Sequence, residues 1–100
     1  MTIAKNWDAA NIINVLRQRG MSDPVVAILR DNHTTSGEVF VDRIRKPHVS
    51  RARHAIFWTL RQPPFSLSFP TIGDLLGFDH TSVIHGVRKY EQNLAKLRAA

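Results

Sequence analysis

The feature that most constrains this fold lies at residues 70–92, where a short amphipathic helix must turn sharply into a longer one. Ile72 and Leu76 stand four residues apart, which predicts one apolar helix face. Gly77 follows them, and glycine suits the left-handed conformation that commonly ends a helix. Asp79 is then a favourable N-cap for the next helix. The stretch therefore predicts two helices joined by a tight turn.

The second of these helices has two unlike faces. Its apolar stripe steps by four, three, four and three residues and consists of Val83, Val87, Tyr90, Leu94 and Leu97. The other side carries hydroxyls, an imidazole, an amide and cations, namely Thr81, Ser82, His85, Arg88, Lys89 and Gln92. Short polar groups at a helix N-terminus can reach base edges in a DNA major groove, and the cations behind them can reach phosphate. An ordinary solvated face is the alternative on this pattern alone.

The charge of the chain is concentrated in its C-terminal part. Residues 1–42 contain four Lys/Arg and five Asp/Glu and carry a net charge of −1. Residues 43–100 contain ten Lys/Arg and three Asp/Glu and carry +7, which gives the formal net charge of +6 for the chain. No acidic residue lies between Arg43 and Arg61, whereas six lysines and arginines do, and a solvated surface usually mixes both signs. This distribution is typical of a protein that binds a polyanion. The cations are spread over several elements, which disfavours a membrane surface as the partner.

The remaining pattern predicts further helices. A first helix runs from a cap at Asn6 or Asp8 to about Arg19, and a second opens with a cap at Asp23, with Pro24 at its first position, and closes at residues 31–32. Residues 38–41 fit a short strand or a helical turn, and the turn is favoured because no second strand is available for pairing.

A basic loop and another helix complete the prediction. Residues 43–48 form an exposed loop interrupted by Pro47. The next helix then runs from Val49 or Ser50 to Arg61 or Gln62, where two prolines stop it. Before the short helix capped by Ser68, the side chains of Phe65, Leu67 and Phe69 are expected to fold onto the core.

Length and composition exclude several classes of protein. One hundred residues with 43% hydrophobic content predict one globular domain, and no apolar run or signal pattern indicates a membrane or secreted protein. The absence of cysteine excludes disulfides. His80 and His85 are five residues apart and so do not share a helix face, and the sequence contains no nucleotide-binding glycine loop. We therefore expect a cytoplasmic, nucleoid-associated protein without enzymatic activity, cofactor or metal.

Several residues at fixed offsets resemble a known family. Ile72-Gly73, Leu76-Gly77, the run from Asp79 to Val83, His85-Gly86 and Arg88-Lys89 are similar to the signature of domain IV, the C-terminal DNA-binding domain, of the bacterial replication initiator DnaA. The resemblance extends from about Val39 to Gln92. It implies a small all-α domain that binds double-stranded DNA sequence-specifically through a helix-turn-helix, here with an extra N-terminal helix. The chain has one residue, Phe78, between Gly77 and Asp79, where the family usually has two.

The resemblance also implies which side chains contact DNA. Base contacts in the major groove fall on Asp79, His80, Thr81, Ser82 and His85, of which Asp79 could cap its helix, accept a hydrogen bond from cytosine, or both. Arg45 falls at the position that enters the minor groove, with Arg43 or Lys46 as substitutes. Phosphate contacts fall on Arg43, Lys46, Arg51, Arg53, His54, Arg61, Arg88 and Lys89. Arg51 could instead pair with Asp74 inside the protein.

The chain is expected to form one compact domain with two regions. Residues 1–36 provide support or dock a partner, and residues 37–100 form the DNA-binding region. Because no ATPase module of the kind that an initiator needs is present, transcription regulation is favoured over replication initiation at a DnaA-box-like site. A third alternative is a protein-interaction module in which the first helix, with Trp7, docks RNA polymerase or a second copy.

Overall fold

The computed structural model describes residues 9–99, which contain six helices and no strand. The helices are α1 (Ala9–Gln18), α2 (Ser22–Asp31), α3 (Ser36–Val39), α4 (Pro47–Arg61), α5 (Phe69–Leu76) and α6 (His80–Ala99). The predicted all-α class is confirmed. Within the described range no helix is both long and apolar enough to cross a membrane. Asn6, Trp7 and Asp8, which the sequence proposes as caps or docking residue, lie outside the described residues.

Helices α5 and α6 form the predicted helix-turn-helix. The Ser68 hydroxyl accepts a hydrogen bond from the N–H of Thr71 at 3.2 Å, and Pro70 lies in the first turn of α5, where its missing N–H costs nothing. Gly77 ends α5 in the left-handed conformation, with φ of 83°. The N–H groups of Gly77 and Phe78 both donate to the carbonyl of Gly73, at 2.8 and 2.9 Å. The local signals in the sequence therefore determine this turn.

The short turn depends on a close approach between Gly73 and Phe78. A Cβ atom placed on Gly73 would lie 2.5 Å from the Phe78 carbonyl oxygen, so the turn can close this tightly only against a glycine. The Phe78 ring is buried and meets Phe57 of α4 edge to face, with 5.2 Å between ring centroids. The single residue between Gly77 and Asp79 thus attaches the turn to the core.

Helix α4 is the central element and packs against α2, α3, α5 and α6. Its inner side contributes the buried side chains of Val49, Ala52, Arg53, Ala55, Ile56, Phe57 and Leu60. Gly86 brings α6 close to it, since a Cβ there would lie 2.7 Å from Phe57 and 2.8 Å from His54. Phe65, Leu67 and Phe69 pack against the core as predicted.

The N-terminal helices cover the other side of the domain. Ile12 and Leu16 of α1 are buried in the same core as Val25 and Leu29 of α2, and α1 packs on α2 and α3. Gly20, with φ of 72°, lies in the turn after α1. The apolar side of α1 is therefore used for support of the domain.

Several predicted boundaries need correction. Helix α2 begins at Ser22, with Met21 at its N-cap position, so Asp23 lies in its first turn and is not the cap. Pro47 begins α4, because proline is favoured at the first helical position, and the exposed loop ends at Lys46. A helical turn, as favoured over a strand, is present near residues 38–41, but α3 begins earlier, at Ser36, and ends at Val39.

The predicted apolar stripe of α6 is only partly buried. Val83 and Val87 are enclosed by the core, whereas Leu97 is 73% exposed. Its prediction as a core residue is wrong, because the last turn of α6 lies at the rim of the domain and residues 95–98 are all exposed.

We predict that Gly73→Ala lowers the free energy of unfolding by about 1–3 kcal/mol, because the added methyl must displace the Phe78 carbonyl. Denaturant unfolding measures this change. Gly37→Ala is the matched control, since its Cβ would meet only Thr35 at 3.7 Å, and we expect it to change stability by less than about 1 kcal/mol. Equal stabilities for the two variants would contradict the close approach.

Candidate nucleic-acid interface

The polar side of α6 faces solvent. Thr81, Ser82 and His85 are exposed in its first turns, and Arg88, Lys89 and Gln92 continue the same side. The buried Val83 and Val87 hold the opposite side against the core. The predicted division of this helix into an anchored side and an open side is therefore present.

A depression joins α6 to the loop between α3 and α4. Polar and charged residues form most of its lining, together with two aromatic rings. The lining residues are Asp42, Arg45, Arg53, His54, Phe57, Phe78, Asp79, Thr81, Ser82 and His85. Arg45 and Thr81 are far apart in sequence, and the fold brings them to one surface. We call this surface the interface depression.

The basic loop, residues 42–46, has a single inward-facing position between exposed ones. Arg43, Arg45 and Lys46 are exposed, whereas Ile44 is half-buried and packs against the core. The N–H of Ile44 donates to the carbonyl of Val41 at 3.0 Å, which closes a turn. The loop therefore presents its cations on both sides of an apolar anchor.

Arg45 is folded back on its own loop. Its Nε donates to the backbone carbonyl of Asp42 at 3.2 Å, and Nη2 lies 3.4 Å from the Asp42 carboxylate. The two side chains are 71% and 61% exposed, and exposed pairs contribute roughly 1 kcal/mol or less, so Arg45 can leave this partner at little cost. Asp42 is not among the site residues predicted from the sequence, although its position three residues before Arg45 is a signal for such a pair.

Asp79 occupies the N-cap position of α6. Its carbonyl accepts the N–H of Val83 at 3.2 Å, and its exposed carboxylate lies 3.8 Å from Nδ1 of His80. Both side chains are on the open surface next to Thr81. The carboxylate is therefore accessible to a hydrogen-bond donor from outside the protein.

Arg53 does not occupy the phosphate-contacting place predicted for it. It is 6% exposed, and its Nε and Nη2 groups donate to the carbonyls of Val39, Val41 and Ile44 at 2.8–2.9 Å. Burial lowers the pKa of Arg53, while the negative charge of Asp42 opposes that change. The expectation is corrected because the donors that would hold phosphate already hold the backbone.

Arg61 is also turned inward. Its Nη1 donates to the carbonyl of Leu67 at 3.1 Å, and its guanidinium lies over the ring of Phe69, 4.0 Å from the centroid. This arrangement fixes the connection between α4 and α5 and differs from the predicted phosphate contact.

Arg51 does not line the interface depression. Arg51 is exposed and borders a groove between α2, α4 and α6 together with Asp31. The alternative pairing of Arg51 with Asp74 is wrong, because Asp74 borders a separate groove between α1 and α5 beside Arg19.

His54 is half-buried where α4 meets α6. Burial lowers its pKa to about 4, and the charge of Arg53 and the nearby His85 and Lys89 act in the same direction. The imidazole is therefore neutral at pH 7, where it can act as a hydrogen-bonding group and not as a cation. Within residues 9–99 no three or more potential metal-binding side chains are grouped together.

These elements define a helix-turn-helix DNA-binding domain in which a basic loop lies beside the recognition helix. A family model described as the bacterial dnaA protein helix-turn-helix matches residues 24–89, and this chain belongs to that family. The match begins in α2 and so covers more of the chain than the resemblance noted from residue 39 onward. No curated protein and no solved structure matches the chain. The family confirms sequence-specific binding of double-stranded DNA as the general function.

We predict that His54 makes stability depend on pH. Its pKa of about 4 in the folded chain lies below the ordinary value of 6.5, so the stability associated with its neutral form is complete above pH 6.5 and is lost as the pH falls towards 4. Between pH 7 and pH 5 the wild-type chain should lose more unfolding free energy than His54→Gln. An NMR titration of the His54 imidazole with a midpoint near 6.5 would contradict this cause.

Proposed function

We propose that this chain reads double-stranded DNA through both grooves, with the first turns of α6 in the major groove and Arg45 in the minor groove. The observation that carries the proposal is that Arg45 borders the same depression as Thr81 and His85. A cation beside the N-terminus of a recognition helix is suitably placed for the adjacent minor groove, where A·T-rich sequence concentrates negative potential.

The side chains in the depression divide into two kinds. Thr81, Ser82 and His85 are short or planar polar groups that suit base edges, and Asp79 could accept a hydrogen bond from cytosine. Arg88 and Lys89 lie further along the exposed side of α6, where cations suit phosphate. Arg43, Lys46 and Arg51 would add phosphate contacts from the basic loop and α4.

We further propose a role in the regulation of transcription. The turn between α5 and α6 is one residue shorter than the family pattern, and Phe78 attaches it to Phe57. A shorter turn favours a different tilt of α6 and therefore a target that differs from the initiator's box. Enrichment of duplexes from a random pool tests this: a distinct sequence supports regulation, whereas recovery of the initiator's box supports replication initiation or its control.

Thr81→Ala should weaken binding to the enriched duplex by about 1–3 kcal/mol and change binding to a scrambled duplex little, because base contacts carry the specificity. Fluorescence anisotropy titrations at one salt concentration measure both affinities. Gln18→Ala, at an exposed position of α1, is the control and should bind both duplexes as the wild type does. Equal losses on the two duplexes would show that α6 is not the reading element.

Arg88→Gln should reduce the slope of log K against log salt concentration by about one on both duplexes, because one phosphate contact is lost. Arg17→Gln removes the same charge from α1, which packs on α2 and α3, and should leave the slope unchanged. If both variants reduce the slope equally, the effect comes from net charge and not from a contact on α6.

A further inference from the structure

The buried guanidinium of Arg53 donates hydrogen bonds to backbone carbonyls in and just before the basic loop. Nε donates to Val39 at 2.8 Å, and the two hydrogens of Nη2 are directed to Val41 at 2.9 Å and Ile44 at 2.8 Å. Val39 is the last residue of α3, whose carbonyl has no N–H partner within the helix, and Val41 and Ile44 lie in the segment that follows. One side chain of α4 therefore binds three carbonyls, one at the end of α3 and two in the segment after it.

This contact determines where the exposed cations of the loop lie. The carbonyl of Ile44 is bound by Arg53, and the side chain of Ile44 packs against the core. Both neighbours, Arg43 and Arg45, are exposed. Because residue 44 is held at its backbone and at its side chain, the two arginines leave the loop from a defined position.

Arg53 also contacts the turn that precedes the recognition helix. Its guanidinium lies 5.4 Å from the centroid of the Phe78 ring, and that ring packs edge to face on Phe57. Phe78 is the residue just before Asp79, the N-cap position of α6. A single buried side chain thus touches the supports of both DNA-contacting elements.

We propose that Arg53 is a positioning residue that holds Arg45 at the spacing from α6 needed to read both grooves of one site. The inference rests on the two-groove function proposed above and adds a residue that acts on the minor-groove contact without touching DNA. Arginine is required because its planar guanidinium directs donors from two nitrogens, whereas lysine carries all its donors on one.

The first test needs no DNA. In Arg53→Lys, the hydrogen-bonded amides of Val41 and Ile44 should exchange at least about tenfold faster, while the core amides of α4 and α6 remain protected. Arg30→Lys, the same substitution at an exposed position of α2, is the control and should leave the loop unchanged. A loop that stays as protected in Arg53→Lys as in the wild type would overturn the inference, whatever the chain does with DNA.

The second test measures the minor-groove contact separately from the major-groove contacts. In the enriched duplex, an A·T pair under the loop is replaced by G·C or by inosine·C, which share a major-groove pattern but differ in the minor-groove amino group. The wild type should prefer inosine·C to G·C at that position. Arg53→Lys should lose this preference while keeping its discrimination at the bases read by α6. A variant that was only destabilised would have a smaller active fraction, but its affinity ratio for inosine·C over G·C and its discrimination at the bases read by α6 would both be unchanged.

A double-mutant cycle with Arg45→Ala distinguishes a positioning role of Arg53 from a direct contact between Arg53 and phosphate. Arg53→Lys should weaken binding to the enriched duplex on the order of tenfold in the wild-type background and about twofold or less when Arg45 is already alanine. Equal losses in both backgrounds would overturn the inference. If Arg53→Lys fails to fold, Ile44→Ala is the second variant, because it removes the side chain that holds residue 44 of the loop against the core. Retention of the minor-groove preference in Ile44→Ala would also overturn the inference. Absence of any duplex preference in the wild type would instead reject the proposed function.

Discussion

The close crossing of α4 and α6 at Gly86 is the contact on which the rest of the structure depends. Any side chain at this position would meet Phe57 and His54, so only glycine lets the two helices approach this closely. The crossing buries Val83 and Val87 and consequently turns Thr81 and His85 outward. It also places His54 beside the recognition helix in a partly dehydrated position, which lowers its pKa. One small residue thus orients the exposed polar side of α6 and lowers the pKa of the histidine next to it.

The cations of the C-terminal part have two different uses. Arg43, Arg45, Arg88 and Lys89 are exposed and remain available to a polyanion. Arg53 and Arg61 instead bind backbone carbonyls and stack against aromatic rings, and so they support the loops on either side of α4. Burying a charged group is tolerated only when its donors are satisfied, and the acceptors here come from the end of α3 and from the irregular segments after α3 and α4. The basic composition therefore serves both ligand binding and the shape of the binding surface.

Much of the helix-turn-helix was predictable because its signals are local. Ser68, Pro70 and Gly77 act through the backbone within one turn of themselves, and the spacing of Val83 and Val87 defines which side of α6 is buried. The predicted first residues of α2 and α4 were less accurate. Helix α2 begins at Ser22, one residue before the predicted cap Asp23. Helix α4 begins at Pro47, because a proline can occupy the first position of a helix as well as a loop. Leu97 was misjudged because helical spacing continues past the point where the neighbouring helices end.

The sequence by itself determined the all-helical class, the tight turn at Gly77, the two-sided recognition helix and the basic character of residues 43–61, because each follows from nearest-neighbour preferences or from charge. Only the tertiary structure decided which arginines face outward, since Arg51 and Arg53 differ by two positions on one helix and a packed loop covers only the second. It alone brought Asp42 and Arg45 next to Thr81. Contacts between residues distant in sequence depend on how the helices pack, and no local pattern carries that information.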